Sequence, residues 1–200
     1  MSTTARFFYV VYLPEGEART SLDAIRLIAR PQTRFSAHIT VRGPYDKPID
    51  DAAQLGDQIR GKYVRIGDVG TFEGKEKAVF FHCSCPDMVP IWHKPNFEGY
   101  TPHITLYEGD GGFADALSEI LEANPLRFIF RASGLDLLVS EKRSANNPVR
   151  DRYDATALGG ILGDDLSLER IDALKSNERL ELISRIARHL AKTQRTAIPA

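Results

Sequence analysis

The sequence has few of the features that mark disulfide-rich, secreted or membrane-spanning proteins. Only two of its 200 residues are cysteines, Cys83 and Cys85. A spacing of two residues along a strand holds them about 6.5–7 Å apart, beyond comfortable disulfide reach. No stretch approaches the roughly 20 apolar residues of a membrane helix, and residues 1–5 lack the regions of a signal peptide. We therefore expect reduced thiols, a cytoplasmic location and no membrane partner.

The sequence also has no excess of charge of either sign. Its net charge is −1 at pH 7, which argues against a protein that coats long duplexes, since basic excess drives such binding. A nucleotide or a short nucleic-acid end is still compatible, because one phosphate needs only a few local donors. The apolar fraction of 42% beside a charged fraction of 26% indicates a soluble globular protein.

Hydrophobic periodicity predicts an α+β fold with largely antiparallel sheets. Several strands follow one another directly, which disfavours a doubly wound parallel sheet. The predicted strands are 6–13, 35–42, 63–72, 77–84, 101–107, 126–131 and 135–140. The predicted helices are 17–30, 49–59, 113–122, 166–175 and 177–192. Residues 86–99 contain three prolines and are expected to be irregular.

The composition changes after Ser140, which predicts a main domain at 1–142 and a linker with a C-terminal helical extension at 143–200. The last helix carries an apolar stripe that something must cover. The main domain, the neighbouring helix and a second subunit are the alternatives, so self-association through these helices is one hypothesis.

The strongest chemical signal is a repeated triplet, His38-Ile39-Thr40 and His103-Ile104-Thr105. Residues two apart on a strand point to the same face, so each triplet presents an imidazole and a hydroxyl together. A single His-x-Thr sequence is weak evidence for a catalytic site, and we regard the related His82-Cys83-Ser84 as a chance match. The alternative for the triplets is a structural role, with half-buried histidines and neighbouring threonines that stabilise strands.

Two such pairs are suited to phosphoryl transfer without a metal or any other cofactor. A neutral imidazole accepts a proton and a protonated one donates it, near physiological pH. Threonine hydroxyls donate to the phosphate oxygens that carry negative charge in the transition state. A zinc site formed by His82, Cys83, Cys85 and His93 is disfavoured, because adjacent strand residues point to opposite faces.

These motifs, the second within Tyr-Thr-Pro-His-Ile-Thr-Leu, resemble those of the two-histidine phosphoesterase superfamily. That group includes the bacterial RNA 2′,3′-cyclic phosphodiesterases, also called 2′,5′-RNA ligases. The resemblance covers about residues 5–140. It implies a bilobed, duplicated ferredoxin-like fold, with His38 and His103 as the acid–base pair and Thr40 and Thr105 on the phosphate.

We expect a phosphodiesterase that hydrolyses 2′,3′-cyclic or 2′,5′ linkages in RNA ends, oligonucleotides or cyclic nucleotides. The alternatives are a non-catalytic module that binds RNA ends or nucleotides, and a reversible 2′,5′-RNA ligase. Many relatives have a long helix before the second motif and a basic residue where this chain has Tyr107. The candidate substrate-binding residues are Arg42, Tyr45, Lys94, Tyr100 and Tyr107.

Overall fold

A computed structural model describes residues 5–97, 99–140 and 167–197 of the chain. The strands are β1 (Arg6–Tyr12), β2 (His38–Tyr45), β3 (Tyr63–Phe72), β4 (Lys77–Ser84), β5 (His103–Gly109), β6 (Phe128–Arg131) and β7 (Asp136–Ser140). The α-helices are α1 (Glu17–Ala29), α2 (Ala52–Ile59), α3 (Gly111–Ala123), α4 (Leu168–Ala173) and α5 (Ser176–Ala197), and a 3-10 helix spans Pro86–Ile91.

The strands form two antiparallel sheets, which confirms the predicted α+β class. The first sheet has the order β2-β1-β7, and the second has the order β5-β4-β3-β6. Every pairing between these strands is antiparallel. Cys83 and Cys85 are buried and free.

The strand β2 continues past the point where the sequence predicted its end. Gly43-Pro44 was expected to end the strand at Arg42, yet Tyr45 still pairs with Phe7 of β1. Gly43 allows this because its φ is +105° and a Cβ there would lie 2.6 Å from the carbonyl oxygen of Phe7. Only glycine tolerates both conditions, so the residue that was read as a strand breaker lets the two backbones approach.

Several other predicted boundaries differ from the observed ones; for example, α2 begins at Ala52 and not at residue 49, and α5 ends at Ala197 and not at residue 192. The helix α3 begins at Gly111, before its predicted start at residue 113, because the carboxylate of Asp110 accepts a hydrogen bond from the amide of Phe113 at 2.9 Å and caps the helix. The proline-rich stretch 86–99 contains an ordered 3-10 helix, since Pro86 occupies a first-turn position where no amide donor is needed.

The C-terminal helix α5 covers the main domain. It contacts both α1 and α3, and a side-chain hydrogen bond of 2.8 Å joins His189 to Glu17 of α1. Its apolar stripe is buried within the chain, at Ile183, Ile186, Ala187 and Leu190. This stripe is therefore not a free surface for self-association. The predicted linker and the boundary at 142/143 lie outside the described residues.

None of the described helices, α5 included, combines the length and the apolar character needed to cross a membrane.

Candidate active site

The two His-Ile-Thr triplets lie at the beginning of two strands that face each other. β2 carries the first triplet and β5 the second. These are outer strands of their respective sheets, and they contact each other. The central isoleucine of each triplet is fully buried, whereas both histidines and both threonines are half-buried. The sequence therefore predicted correctly that each imidazole shares a face with its threonine.

Both histidines are held by the same local hydrogen bond. Nδ1 of His38 donates to the carbonyl oxygen of Ser36 at 2.7 Å, and Nδ1 of His103 donates to the carbonyl oxygen of Thr101 at 2.7 Å. A carbonyl oxygen only accepts, so the proton of each neutral ring is on Nδ1. The other nitrogen, Nε2, is then the one that carries the lone pair and accepts a proton.

The environment of His38 disfavours the charged form. Burial lowers its pKa to about 4, and the positive charges of Arg26, His103 and Lys94 act in the same direction. The hydrogen bond to Ser36 partly opposes the effect. A protonated His103 thus contributes to the lowered pKa of His38, after burial and the charge of Arg26.

His103 is shifted in the same direction. Burial is the largest cause of its lowered pKa, and the charges of Lys94 and His82 add to it, while the hydrogen bond to Thr101 acts in the opposite sense. Both imidazoles are therefore predominantly neutral at pH 7 in the unliganded protein. This differs from the simplest expectation of one neutral and one protonated ring.

A β-bulge follows the first triplet. Thr40 pairs with Val10 of β1, but the next pair is Arg42 with Tyr9, so Val41 is an extra residue on β2. Arg42 is half-buried, as His38 and Thr40 are. Its Nη1 donates to the carbonyl oxygen of Ile91 at 2.8 Å. This candidate substrate-binding residue is therefore bonded to the end of the 3-10 helix.

A bulge at the same position follows the second triplet. Thr105 pairs with Phe80 of β4, but the next pair is Tyr107 with Val79, so Leu106 is the extra residue. Tyr107 is consequently 9% exposed and lies in the core with Val79. Its hydroxyl accepts a hydrogen bond from the amide of Asp110 at 2.9 Å. Tyr107, a candidate substrate-binding residue, is thus more deeply buried than the half-buried Thr105.

Aromatic side chains from the neighbouring strands support the two imidazoles. Tyr12 pairs with His38 across β1 and β2, with ring centroids 5.8 Å apart in an edge arrangement. His82 pairs with His103 across β4 and β5. The ring of Phe80 lies 5.1 Å from that of His103 and 4.9 Å from that of His82. His82, which we had set aside as a chance match, is thus a direct neighbour of the site.

A cavity of about 740 Å³ opens at the second triplet. We call it the triplet cavity, and the residues used below are Phe72, Lys94, Phe97, His103 and Thr105. Two of its aromatic rings are open to solvent, Phe97 being 63% exposed and Phe72 41% exposed. This volume is typical of a site for a small ligand.

Lys94 is the predicted substrate-binding residue that the fold brings to both triplets. The backbone of His93 bonds to β2, accepting from the amide of Gly43 at 3.0 Å and donating to the carbonyl oxygen of Val41 at 3.2 Å. These two backbone bonds hold the next residue, Lys94, at the cavity. Its Nζ lies 4.9 Å from the ring centre of Phe97. Burial lowers the pKa of this ammonium group.

Arg26 is a site residue that the sequence reasoning missed. It lies on α1 and is largely buried, and burial lowers its pKa to about 10 against the opposing influence of Asp23. Its charge is the second cause of the lowered pKa of His38. The sequence held one signal of this role: Arg26 directly adjoins the apolar stripe of the predicted helix, whereas a charged side chain is expected on the exposed face.

Two other predicted substrate contacts have structural partners. Tyr45 stacks on His93, with ring centroids 5.7 Å apart, and its hydroxyl is hydrogen-bonded to Nδ1 of that ring. The hydroxyl of Tyr100 donates to the carbonyl oxygen of Cys85, and its ring packs against Trp92. Neither tyrosine lines the triplet cavity.

Within the described ranges, no three His, Cys, Asp or Glu side chains come together as a group that would hold a metal ion. His82, Cys83, Cys85 and His93 are thus not assembled into the zinc site considered above.

No protein-family model matches the chain, and no curated protein matches it either.

Proposed function

We propose that the protein is a metal-independent phosphodiesterase of the two-histidine phosphoesterase type. The observation that carries this proposal is the matching environment of the two triplets. Each begins an outer strand, each has its histidine Nδ1 bonded to the carbonyl two residues earlier, and each is followed by a bulge. A purely structural role for two histidines gives no reason for this correspondence.

The same correspondence supports a bilobed, duplicated ferredoxin-like fold. β1 supports β2 as β4 supports β5, and Tyr12 and His82 occupy equivalent positions opposite the two histidines. A helix follows each of the two triplet strands, α2 after β2 and α3 after β5. Two halves of this kind would place one phosphate between two equivalent His/Thr pairs.

In the proposed reaction, binding of the substrate phosphate allows one of the two histidines to become protonated. Both rings begin mainly neutral, and the bound anion raises the pKa of each, because an opposite charge favours the protonated form. One Nε2 then takes a proton from the attacking water while the other, protonated, gives its proton to the leaving ribose oxygen. The threonine hydroxyls, together with Lys94 and Arg26, stabilise the charge on the non-bridging oxygens.

The triplet cavity favours a nucleotide over a simple phosphate ester. Phe97 and Phe72 are partly exposed beside His103, although Lys94 lies over the ring of Phe97 and Phe80 stacks on that of Phe72. Exposed aromatic rings are the surfaces on which unpaired bases stack. We therefore propose 2′,3′-cyclic or 2′,5′ linkages in RNA ends, oligonucleotides or cyclic nucleotides as the substrate class.

The test is hydrolysis of 2′,3′-cyclic nucleotides, a cyclic-phosphate RNA oligomer and 2′,5′-linked oligoadenylate, all in EDTA. Turnover by the wild type that is lost in both His38→Ala and His103→Ala supports the proposal. His189→Ala is the matched control, because His189 lies on α5 and bonds Glu17. Binding without turnover would instead favour a nucleotide-binding module. Joining of 5′-hydroxyl and cyclic-phosphate ends would show that the same chemistry runs as ligation.

A further inference from the structure

A second cavity, of about 420 Å³, lies beside the triplet cavity. We call it the arginine cavity, and we define it by Arg26, Arg30, Arg34 and Thr105, which all line it. One carboxylate, that of Glu108, lines it as well. Three guanidinium groups against one carboxylate leave a net positive lining.

The local fold brings the three arginines together. Arg26 lies in the last turn of α1, and Arg30 is the extended residue that ends the helix, with its amide bonded to the carbonyl oxygen of Arg26 at 2.9 Å. Thr33 then folds the chain back, since its amide donates to the carbonyl oxygen of Arg30 at 2.9 Å and its hydroxyl to that of Arg26 at 3.2 Å. Arg34 follows directly and lies over the ring of Phe35.

Arg30 contacts Glu108 through weak, partly exposed interactions. Its Nη1 donates to the backbone carbonyl oxygen of Glu108 at 3.1 Å and lies 3.8 Å from Oε2 of the same residue, and both side chains are partly exposed. Such a pair contributes little to stability in water. Cations at the end of a helix also interact favourably with its dipole, but that interaction does not require three arginines around one cavity.

Thr105 connects the two cavities, because it lines both. A phosphate held by Thr105 in the proposed reaction therefore borders the arginine cavity as well. Guanidinium groups bind phosphate oxygens in a bidentate, charge-assisted manner. A second phosphate on the same substrate would meet Arg30 and Arg34, while Arg26 would contribute positive charge to both phosphates.

We propose that the arginine cavity binds a second phosphate of the substrate, namely the 5′-phosphate of the nucleotide whose 2′,3′-cyclic phosphate is hydrolysed. In an RNA strand this group is the linkage to the preceding nucleotide. The preferred substrate is thus the cyclic-phosphate end of a strand, and a free nucleoside cyclic phosphate is a poorer one. This inference rests on the proposed function and specifies its substrate.

The kinetic test compares adenosine 2′,3′-cyclic monophosphate with the same molecule bearing a 5′-phosphate. The wild type should hydrolyse the doubly phosphorylated compound with at least about tenfold higher kcat/KM, as expected for charge-assisted hydrogen bonds. The double variant Arg30→Gln/Arg34→Gln should reduce that ratio to below about threefold. Arg127→Gln is the control, because Arg127 is exposed and paired with Asp68 away from both cavities. A wild-type ratio near one, or a ratio that the double variant leaves unchanged, would overturn the inference.

A binding measurement separates this inference from the proposed function. If neither compound is hydrolysed, calorimetric titration with inorganic pyrophosphate tests the cavity alone. Binding that the double variant loses and Arg127→Gln keeps supports the arginine cavity. An absence of binding by the folded wild type would contradict it, and far-ultraviolet circular dichroism checks that each variant is folded.

Discussion

His38 and His103 carry their protons on the same ring nitrogen for the same reason. Each Nδ1 donates to the carbonyl oxygen two residues earlier, at 2.7 Å in both cases. A backbone bond of this kind fixes the tautomer before any substrate arrives, so that Nε2 is the proton-accepting atom of both rings. The following predictions depend on this equivalence and on the surroundings of the two rings.

The pH dependence of the rate should differ between the free protein and the complex. Both histidine pKa values are lowered in the free protein, so kcat/KM should be bell-shaped with its maximum below about pH 6.5, the ordinary histidine value. The bound phosphate raises both values, so the maximum of kcat should lie at higher pH. Rates measured from pH 4 to 9 on one cyclic nucleotide test this. A flat profile from pH 5 to 9 would contradict the paired-imidazole mechanism.

The stability of the folded protein should fall as His38 is forced to protonate. Its folded pKa of about 4 lies below the ordinary 6.5, so the unfolded chain binds more protons between these two values. Stability therefore rises with pH across the window from about 4 to 6.5, by about 3 kcal/mol in total for this group. Urea unfolding at several pH values should show a shallower slope for His38→Gln than for the wild type. Parallel slopes would show that His38 is not buried as described.

Removal of an exposed ring from the triplet cavity should weaken substrate binding. Phe97→Ala should raise KM for a cyclic nucleotide about tenfold and change kcat little, because a stacked base contributes about 1–3 kcal/mol. Val89→Ala is the matched control, since Val89 is 54% exposed and does not line the cavity. Equal KM values for Phe97→Ala and the wild type would exclude a stacking role for this ring.

Tyr107 should matter for stability and not for base stacking. Tyr107→Phe removes the hydroxyl that accepts from the amide of Asp110, which should lower the free energy of unfolding by about 1 kcal/mol. The kcat/KM for adenosine 2′,3′-cyclic monophosphate should stay within about twofold, because Tyr107 does not line the triplet cavity and this substrate has no 5′-phosphate to enter the arginine cavity. Tyr63→Phe, at an exposed position, should change stability by less than about 0.5 kcal/mol. A large loss of activity in Tyr107→Phe would indicate that Tyr107 contacts the substrate, as the sequence analysis predicted.

The sequence predicted the structure well where apolar and polar side chains alternate regularly along a strand. It identified the strands that carry both triplets and the shared face of each His/Thr pair. It did not predict the bulge that lies one residue beyond each threonine, at Val41 and at Leu106. A bulge shifts the register of the residues that follow it, and no local signal in the sequence marks it.

The residues missed altogether reach the site through the tertiary fold. Arg26 comes from α1, while Phe72 and Phe97 come from the end of β3 and from the loop before β5. Their sequence neighbours give no indication that these segments meet at the triplets. His82 was set aside because His-x-Ser is common, and only the pairing of β4 with β5 places it beside His103.

The central claim is that the two triplets act as one unit on one phosphate, and the most direct measurement compares kcat/KM for His38→Ala, His103→Ala and the double variant. Groups that act together are strongly non-additive. We predict that each single variant loses at least about 10²-fold, and that the double variant is no more than about tenfold below the poorer single one. If either single variant retains more than about one tenth of the wild-type rate, or if the two losses multiply, the two histidines do not share one reaction.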